Sequence, residues 1–253
     1  MDRLVFTANA TIREMATARQ VLVNELANVS TVGFKGSYDV ALQSVKVEGL
    51  GFDTRMQAQA VARDLIRLTP GTIMATGKPT DIALAGNAVM TVQAPNGELA
   101  FTRRGDLKVN INGQLETGNG HLVLGDGGPI AIPPGLVVSI NPDGSVFARD
   151  PNQPSNVPDQ PVGQLGLRDA SQVSLVRRED GLFKVVDQPP GSDFATGPEL
   201  PTVIPQALEG SNVSAIEAMA RLLDHSRSFE TQMRIIKETK TLDESGSSMI
   251  RNS

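Results

Sequence analysis

The sequence predicts a mostly β central domain carried between long N- and C-terminal α-helices that pair as a coiled coil. Three observations predict it. Apolar residues recur at spacings of three and four near both ends of the 253-residue chain, over Leu4 to Val29 and over Glu209 to Leu242. Between them, from Asp81 to about Asp187, the chain changes to short β-rich runs separated by turn residues. The two stripes flank a region able to fold by itself, so each lacks cover unless it meets the other or a neighbouring copy.

In the first helix the stripe is Ile12, Met15, Leu22, Leu26 and Val29, with Ala8, Ala16, Ala18 and Ala27 as small fillers. Thr7, Asn9 and Thr11 are weak helix formers, so the first turns depend on packing for their order. Gly33 ends the element, and the N-terminal part is bounded at 1–35. Residues 36–76 carry short apolar runs (Val40 to Leu42, Val45 to Val47) and Gly49 and Gly51, but no sustained period. They read as a connector with one or two strands.

Residues 77–205 read as an all-β domain. Its candidate strands are Asp81 to Ala85, Ala88 to Gln93, Glu98 to Thr102, Asp106 to Ile111, His121 to Leu124, Leu136 to Ile140, Val162 to Leu167 and Leu182 to Val186. The separators Pro95-Asn96-Gly97, Asn112-Gly113, Asp126-Gly127-Gly128, Asn141-Pro142-Asp143-Gly144 and Asp180-Gly181 supply the positive φ that tight hairpins require. Asp150 to Pro161, with four prolines in twelve residues, is expected to be an exposed loop and not a strand. A second Pro/Gly-rich segment, Gln188 to Pro205, leads into the C-terminal part, 206–253.

There Ser214 serves as N-cap with Glu217 three residues on, the reciprocal pair of a capping box, and no Gly or Pro follows before Gly246. Ala215, Met219, Leu222, Ser226, Phe229, Met233, Ile236 and Lys240 alternate at four and three, the seam of a coiled coil, widened by Ile216 and Leu223. At 1.5 Å per residue such a helix runs about 43 Å, and it wants a partner of similar length.

Composition excludes several classes of function. The net charge is −5 and the 23 basic residues are dispersed, so there is no electrostatic footprint for nucleic acid and no basic amphipathic face for a lipid surface. Zero Cys removes disulfides, thiolate metal sites and Cys nucleophiles. No apolar run approaches the roughly 18 residues of a membrane span, so direct membrane insertion is not expected. The opening MDRLVFTANATIREM has Asn9, Thr11, Arg13 and Glu14 where a secretory leader needs an unbroken apolar core. Export, if it occurs, is expected without a cleaved signal peptide.

Chemistry was tested motif by motif. Gly118 to Pro129, GNGHLVLGDGGP, resembles a phosphate loop but lacks the Lys-Ser/Thr ending and the following helix, so hairpin turns account for it better. Asp126 is its only carboxylate, too few for calcium. With only His121 and His225, and no G-x-S-x-G, a Ser/His/Asp triad has no support. A lone His beside a helix seam is more often a packing or surface residue than a metal ligand. Asp81, Glu98, Asp106 and Glu116 could converge as glycosidase carboxylates, yet no Trp and a single Tyr leave no sugar-stacking platform. No cofactor, no metal and no enzymatic activity are expected.

Three strings resemble one family. Asn24, Leu26, Ala27, Asn28, Thr31, Gly33, Phe34 and Lys35, in NELANVSTVGFK, are similar to the signature after the first helix of bacterial flagellar basal-body rod and hook proteins, with Glu25 where a second Asn is common. Gly71, Thr76, Gly77, Pro79, Asp81, Gly86, Thr102, Arg103, Gly105, Asn110, Gly113 and Leu115 fall at matching places in that family's β region. Val89-Met90 depart from it, standing where the family typically has two Phe. Leu208, Ser211, Asn212, Val213, Met219, Arg227, Phe229 and Glu230 resemble its C-terminal helix and the approach to it. The opening and the tail are most like the proximal rod members.

The resemblance implies a non-enzymatic subunit of the flagellar axial structure. It is expected to be exported unprocessed by the flagellar type III apparatus into the periplasmic rod, with terminal helices forming an inner tube and the β domain outside. The expected partners are other copies and other rod subunits. The expected assembly residues are Ile12, Met15, Leu22, Leu26, Asn28, Gly33, Phe34, Ile216, Met219, Leu222, Leu223, Phe229, Met233 and Ile236. The alternatives are a distal rod or hook subunit and, from another class, a cell-wall-binding or hydrolytic β domain.

Overall fold

Short strands dominate the computed structural model, which describes residues 2–38, 42–46, 56–60, 65–154 and 158–251. Of the expected connector, Val40, Val47, Gly49 and Gly51 lie outside the described residues. The chain forms two compact units: Met1–Ala27, Tyr38–Arg63 and Ser214–Ser253 make one, and Asn28–Ser37 with Asp64–Val213 make the other.

The second unit is β throughout. Its main sheet is antiparallel and runs Leu175–Arg177, Phe183–Val185, Leu99–Thr102, Ala88–Gln93, Leu122–Gly125, Leu115–Thr117 and Leu107–Val109 in spatial order. Leu167–Asp169 also pairs with Ala88–Gln93, and Gly128–Pro129 with Leu122–Gly125. Because side chains alternate across a strand, Ala88–Gln93 divides two cores. Ala88, Met90 and Val92 enter a core with Leu107, Leu115, Val123, Ile140 and Val146. Val89 points the other way, into a core with Phe101, Leu175, Phe183 and Phe194. Phe101 and Phe194 stack tilted, 4.8 Å between centroids. Val89 and Met90, the departure from the family pattern, therefore fill opposite cores, and both are fully buried.

The hairpin grammar is visible at Asn112-Gly113, where Gly113 takes φ 76 and its N–H donates to Asn110 O. The glycine cluster Gly118 to Pro129 forms turns between strands, with Gly120 N–H closing on Thr117 O at 2.8 Å. Val137–Ile140, Ser145–Arg149 and Gln160–Gln164 form a separate three-stranded sheet. The last of these strands begins inside the expected proline loop. Pro161 is tolerated because the strand lies at a sheet edge, beside a register shift between Val146 and Phe147. Residues 155–157 of that loop lie outside the described residues. Two small ribbons complete the unit: Val203–Pro205 on Ile82–Leu84, and Ala207–Glu209 on Ile73–Ala75.

The first unit holds α1 (Asp2–Ala27), α2 (Ala215–Arg251) and a hairpin of Leu42–Lys46 with Met56–Ala60. Ser214 caps α2 through its Oγ, which accepts Glu217 N–H at 3.4 Å, while the Glu217 carboxylate turns to Arg221. The two helices approach each other, but the coiled coil expected from the sequence does not form. Of the expected seam, Met219 (53% exposed), Phe229 (42%) and Met233 (47%) stand in solvent. The side turned inward is Ala215, Ala218, Leu222, His225, Gln232, Ile236 and Thr239. It coincides with the expected seam at Ala215, Leu222 and Ile236, leaves Phe229 out, and takes the intervening positions one residue earlier, a rotation of about 50°. Small and polar residues there cannot act as knobs in holes. The fold class is corrected accordingly: a mostly β chain whose terminal helices do not pair as a coiled coil.

Candidate functional site

A buried charge cluster joins three distant stretches of the β unit. The first is the turn after α1. Thr31 N–H donates to Asn28 O at 3.0 Å and Thr31 Oγ1 lies 3.1 Å from Asn28 Oδ1, which closes the chain so that Gly33 can take φ 68. Only Gly fits there: a Cβ at Gly33 would lie 2.5 Å from Arg103 O. The second stretch is the end of strand Leu99–Thr102, which delivers Arg103. The third is strand Ala207–Glu209, set by its ladder with Ile73–Ala75.

At their meeting point Glu209 Oε1 accepts Lys35 Nζ at 2.7 Å and Gly71 N–H at 3.0 Å, while its Oε2 accepts Arg103 Nε at 2.8 Å. The Glu209 main-chain oxygen accepts Gly33 N–H at 2.7 Å. Lys35 and Arg103 are wholly buried and Glu209 is 1% exposed. Such charges survive burial only when paired and hydrogen-bonded. Arg103 meets that condition, its terminal nitrogens donating to Leu84 O, Gly86 O and Ala88 O at 2.6 to 2.8 Å. Lys35 has Glu209 and Thr69 O. Its pKa is lowered to about 8, first by burial and then by the nearby Arg103 charge, against the opposing pull of Glu209.

Asn212 adds a neutral tie beside the charges. Its Oδ1 accepts Gly36 N–H at 2.7 Å, and its Nδ2 donates to Arg67 O and Thr69 O. From the other side Arg177 donates to Lys35 O and stacks over Phe34, 4.3 Å from the ring centroid. The cluster is closed to solvent and fully committed to its own partners. Its chemical capacity is to hold chain segments together.

The expected assembly residues separate by place. Asn28, Gly33 and Phe34 belong to this junction. Ile12, Met15 and Leu26 on α1 are half-buried and Leu22 is buried. On α2, Leu222 and Ile236 are half-buried, whereas Ile216, Met219, Leu223, Phe229 and Met233 are exposed. The four carboxylates weighed for hydrolysis each meet a cation: Asp81 with Lys78, Glu98 with Arg178, Asp106 with Arg104, and Glu116 with Lys108. His121 is half-buried, its pKa lowered by burial and by Arg104 and Arg178 against the pull of Asp180. His225 lies on the inward side of α2, with Nδ1 buried and without a hydrogen-bond partner. No group of three or more His, Cys, Asp or Glu able to hold a metal occurs among the described residues.

Sequence reasoning missed Glu209 as a functional residue. Its position in ALEGSN, among residues resembling the family, was the signal present. The three resembling strings are the three stretches that the cluster joins, through Gly33 and Lys35, through Arg103, and through Glu209 and Asn212.

Residues 83–148 match the family model described as "Flagellar hook protein FlgE/F/G D1 domain", and residues 204–249 match "Flagellar basal body rod FlgEFG protein C-terminal". The chain is 36% identical over 241 residues to the flagellar basal-body rod protein FlgF of Salmonella typhimurium, covering 93% of each chain. It is 37% identical over 243 residues to FlgF of Escherichia coli, again covering 93% of each. The flagellar basal-body rod protein FlgG of Caulobacter vibrioides is 28% identical over 235 residues. The chain belongs to the flagellar basal-body rod protein family, and within it to the FlgF type.

Proposed function

We propose that this protein is a structural, non-catalytic subunit of the proximal flagellar rod, and that it contacts neighbouring axial subunits through the outward face of α2. The observation that carries the reading is that face itself. Ile216, Met219, Leu223, Phe229 and Met233 stand exposed along one helix. Covering each such side chain is worth roughly 1.5 to 3 kcal/mol, which favours association. The two terminal helices serve assembly in this reading. Partners are other rod subunits, reached in the periplasm after passage through the flagellar type III apparatus. Head-to-tail contacts of this kind need not close into a ring, which suits a shaft.

The 36% and 37% identity to FlgF of Salmonella typhimurium and Escherichia coli, above the 28% to FlgG of Caulobacter vibrioides, favours the proximal over the distal rod. The test is genetic and biochemical. Deleting the gene is expected to abolish flagella, and the restored protein should co-purify with isolated basal bodies. Normal flagella in the deletion strain, or a protein absent from basal bodies, would contradict the reading.

A further inference from the structure

We propose that Glu209 is a clasp that makes the ordering of residues 28–37 and of the chain around 66–71 conditional on the C-terminal strand Ala207–Glu209. The signature loop after α1 then becomes ordered only when a residue 174 positions further along the chain is in place. Four bonds converge on this one residue, from Gly33 N–H, Lys35 Nζ, Gly71 N–H and Arg103 Nε. Asn212, three residues on, repeats the pattern on the same segments, taking Gly36 N–H and giving to Arg67 O and Thr69 O, while its own N–H donates to Phe34 O.

The charge count gives the clasp a direction. Two buried cations share a single carboxylate. Arg103 has three main-chain carbonyls besides Glu209, all within the stretch Leu84 to Ala88, so it stays in place when the carboxylate is lost. Lys35 keeps only Thr69 O. An uncompensated buried ammonium beside a fixed guanidinium gives up its proton or reaches water, and either way the loop that carries Lys35 loses its charged tie to the C-terminal strand. The lowered pKa of Lys35 shows the same strain with the clasp closed. The central strands Ala88–Gln93 and Leu99–Thr102 are held mainly by ladders with their neighbours, and the cluster reaches Ala88–Gln93 through Arg103, which donates to Ala88 O and does not depend on Glu209 to do so.

Hydrogen exchange on the full-length protein tests this, comparing wild type with Glu209→Gln and Asn212→Ala. In Glu209→Gln the segments 28–37, 66–71 and 207–213 are expected to exchange together, roughly ten-fold faster or more, while 88–102 keeps its protection. Loss confined to 207–213, or no change at 28–37, overturns the clasp. Asn212→Ala keeps the test open should the charge variant, stripped of the counter-ion of two buried cations, fail to fold. Joint loosening of 28–37 and 66–71 in that variant supports the clasp. Unchanged exchange at 28–37, or equal loosening of 88–102, overturns it.

Discussion

Replacing Lys35 by Met makes the energetics of the buried cluster measurable as a function of pH. In the folded protein burial and the Arg103 charge lower the Lys35 pKa to about 8, against the ordinary lysine value of 10.5 that the unfolded chain approximates. The folded value is the lower one. Between pH 8 and 10.5 the unfolded chain therefore holds a proton that the folded chain has released, and the stability contributed by this site rises with pH. The full difference of about 2.5 pKa units corresponds to about 3 kcal/mol. Of this, about 2 kcal/mol falls between pH 7 and pH 9.5, since the folded group is mostly protonated at the first and mostly neutral at the second. Urea denaturation of wild type and Lys35→Met at pH 7, 8, 9 and 9.5 reads it directly. Taking the difference cancels titrations common to both proteins. Wild type is expected to gain about 2 kcal/mol on the variant across that window. A difference flat in pH would mean that burial does not perturb Lys35. A difference falling with pH would mean that Glu209 outweighs both burial and Arg103, and either result would refute the account of the cluster.

Three other outcomes follow from the geometry. Gly33→Ala forces a Cβ to 2.5 Å from Arg103 O at φ 68, and should destabilise the β unit by about 2 kcal/mol or more in urea titration. Asp169, though burial alone would raise its pKa, is held below the usual carboxylate range by hydrogen bonds from the Ser171 hydroxyl and N–H and from Glu199 N–H. Its contribution is present above the unfolded carboxylate pKa and is lost as pH falls through the folded one, so Asp169→Asn should lower stability by about 1 to 3 kcal/mol at pH 7 and show a flatter acid limb. Met90→Ala, at a fully buried site of the larger core, should cost about 2 to 5 kcal/mol, and a loss below about 1 would mean that the core collapses around the vacancy.

The β unit was legible where local chemistry decides it. Gly113 closes the hairpin that Asn112-Gly113 announces, and Ala88 to Gln93 is a strand at the expected bounds. Strand Ser145–Arg149 is not among the expected strands although Val146 and Ala148 alternate inward, because it lies between the Asn141-Pro142-Asp143-Gly144 turn and the proline-rich stretch from Asp150, and its five residues make too short a run to mark it from sequence. Strands Val203–Pro205 and Ala207–Glu209 were hidden by neighbouring Pro and Gly, and their order comes from partners 119 or more residues away. The helix stripe failed for another reason. Periodic apolar residues show which side avoids water but not what covers it, and on α2 the stripe is split: Ile216, Met219, Leu223, Phe229 and Met233 stand exposed while Leu222 and Ile236 share the inward side with Ala218, Gln232 and Thr239. The cluster had no periodic signal at all. Lys35, Arg103 and Glu209 are single charges scattered along the chain, and only the folded topology makes them neighbours.

The reading of this protein as a rod subunit that assembles through α2 is tested most directly by Met219→Asp combined with Phe229→Asp. Both side chains are exposed, so the isolated protein should keep its fold and its urea midpoint. In a strain lacking the wild-type gene, the account predicts that the variant is produced but missing from isolated basal bodies and that the cells do not swim. Variant protein present in basal bodies at the wild-type level, with normal motility, would contradict it.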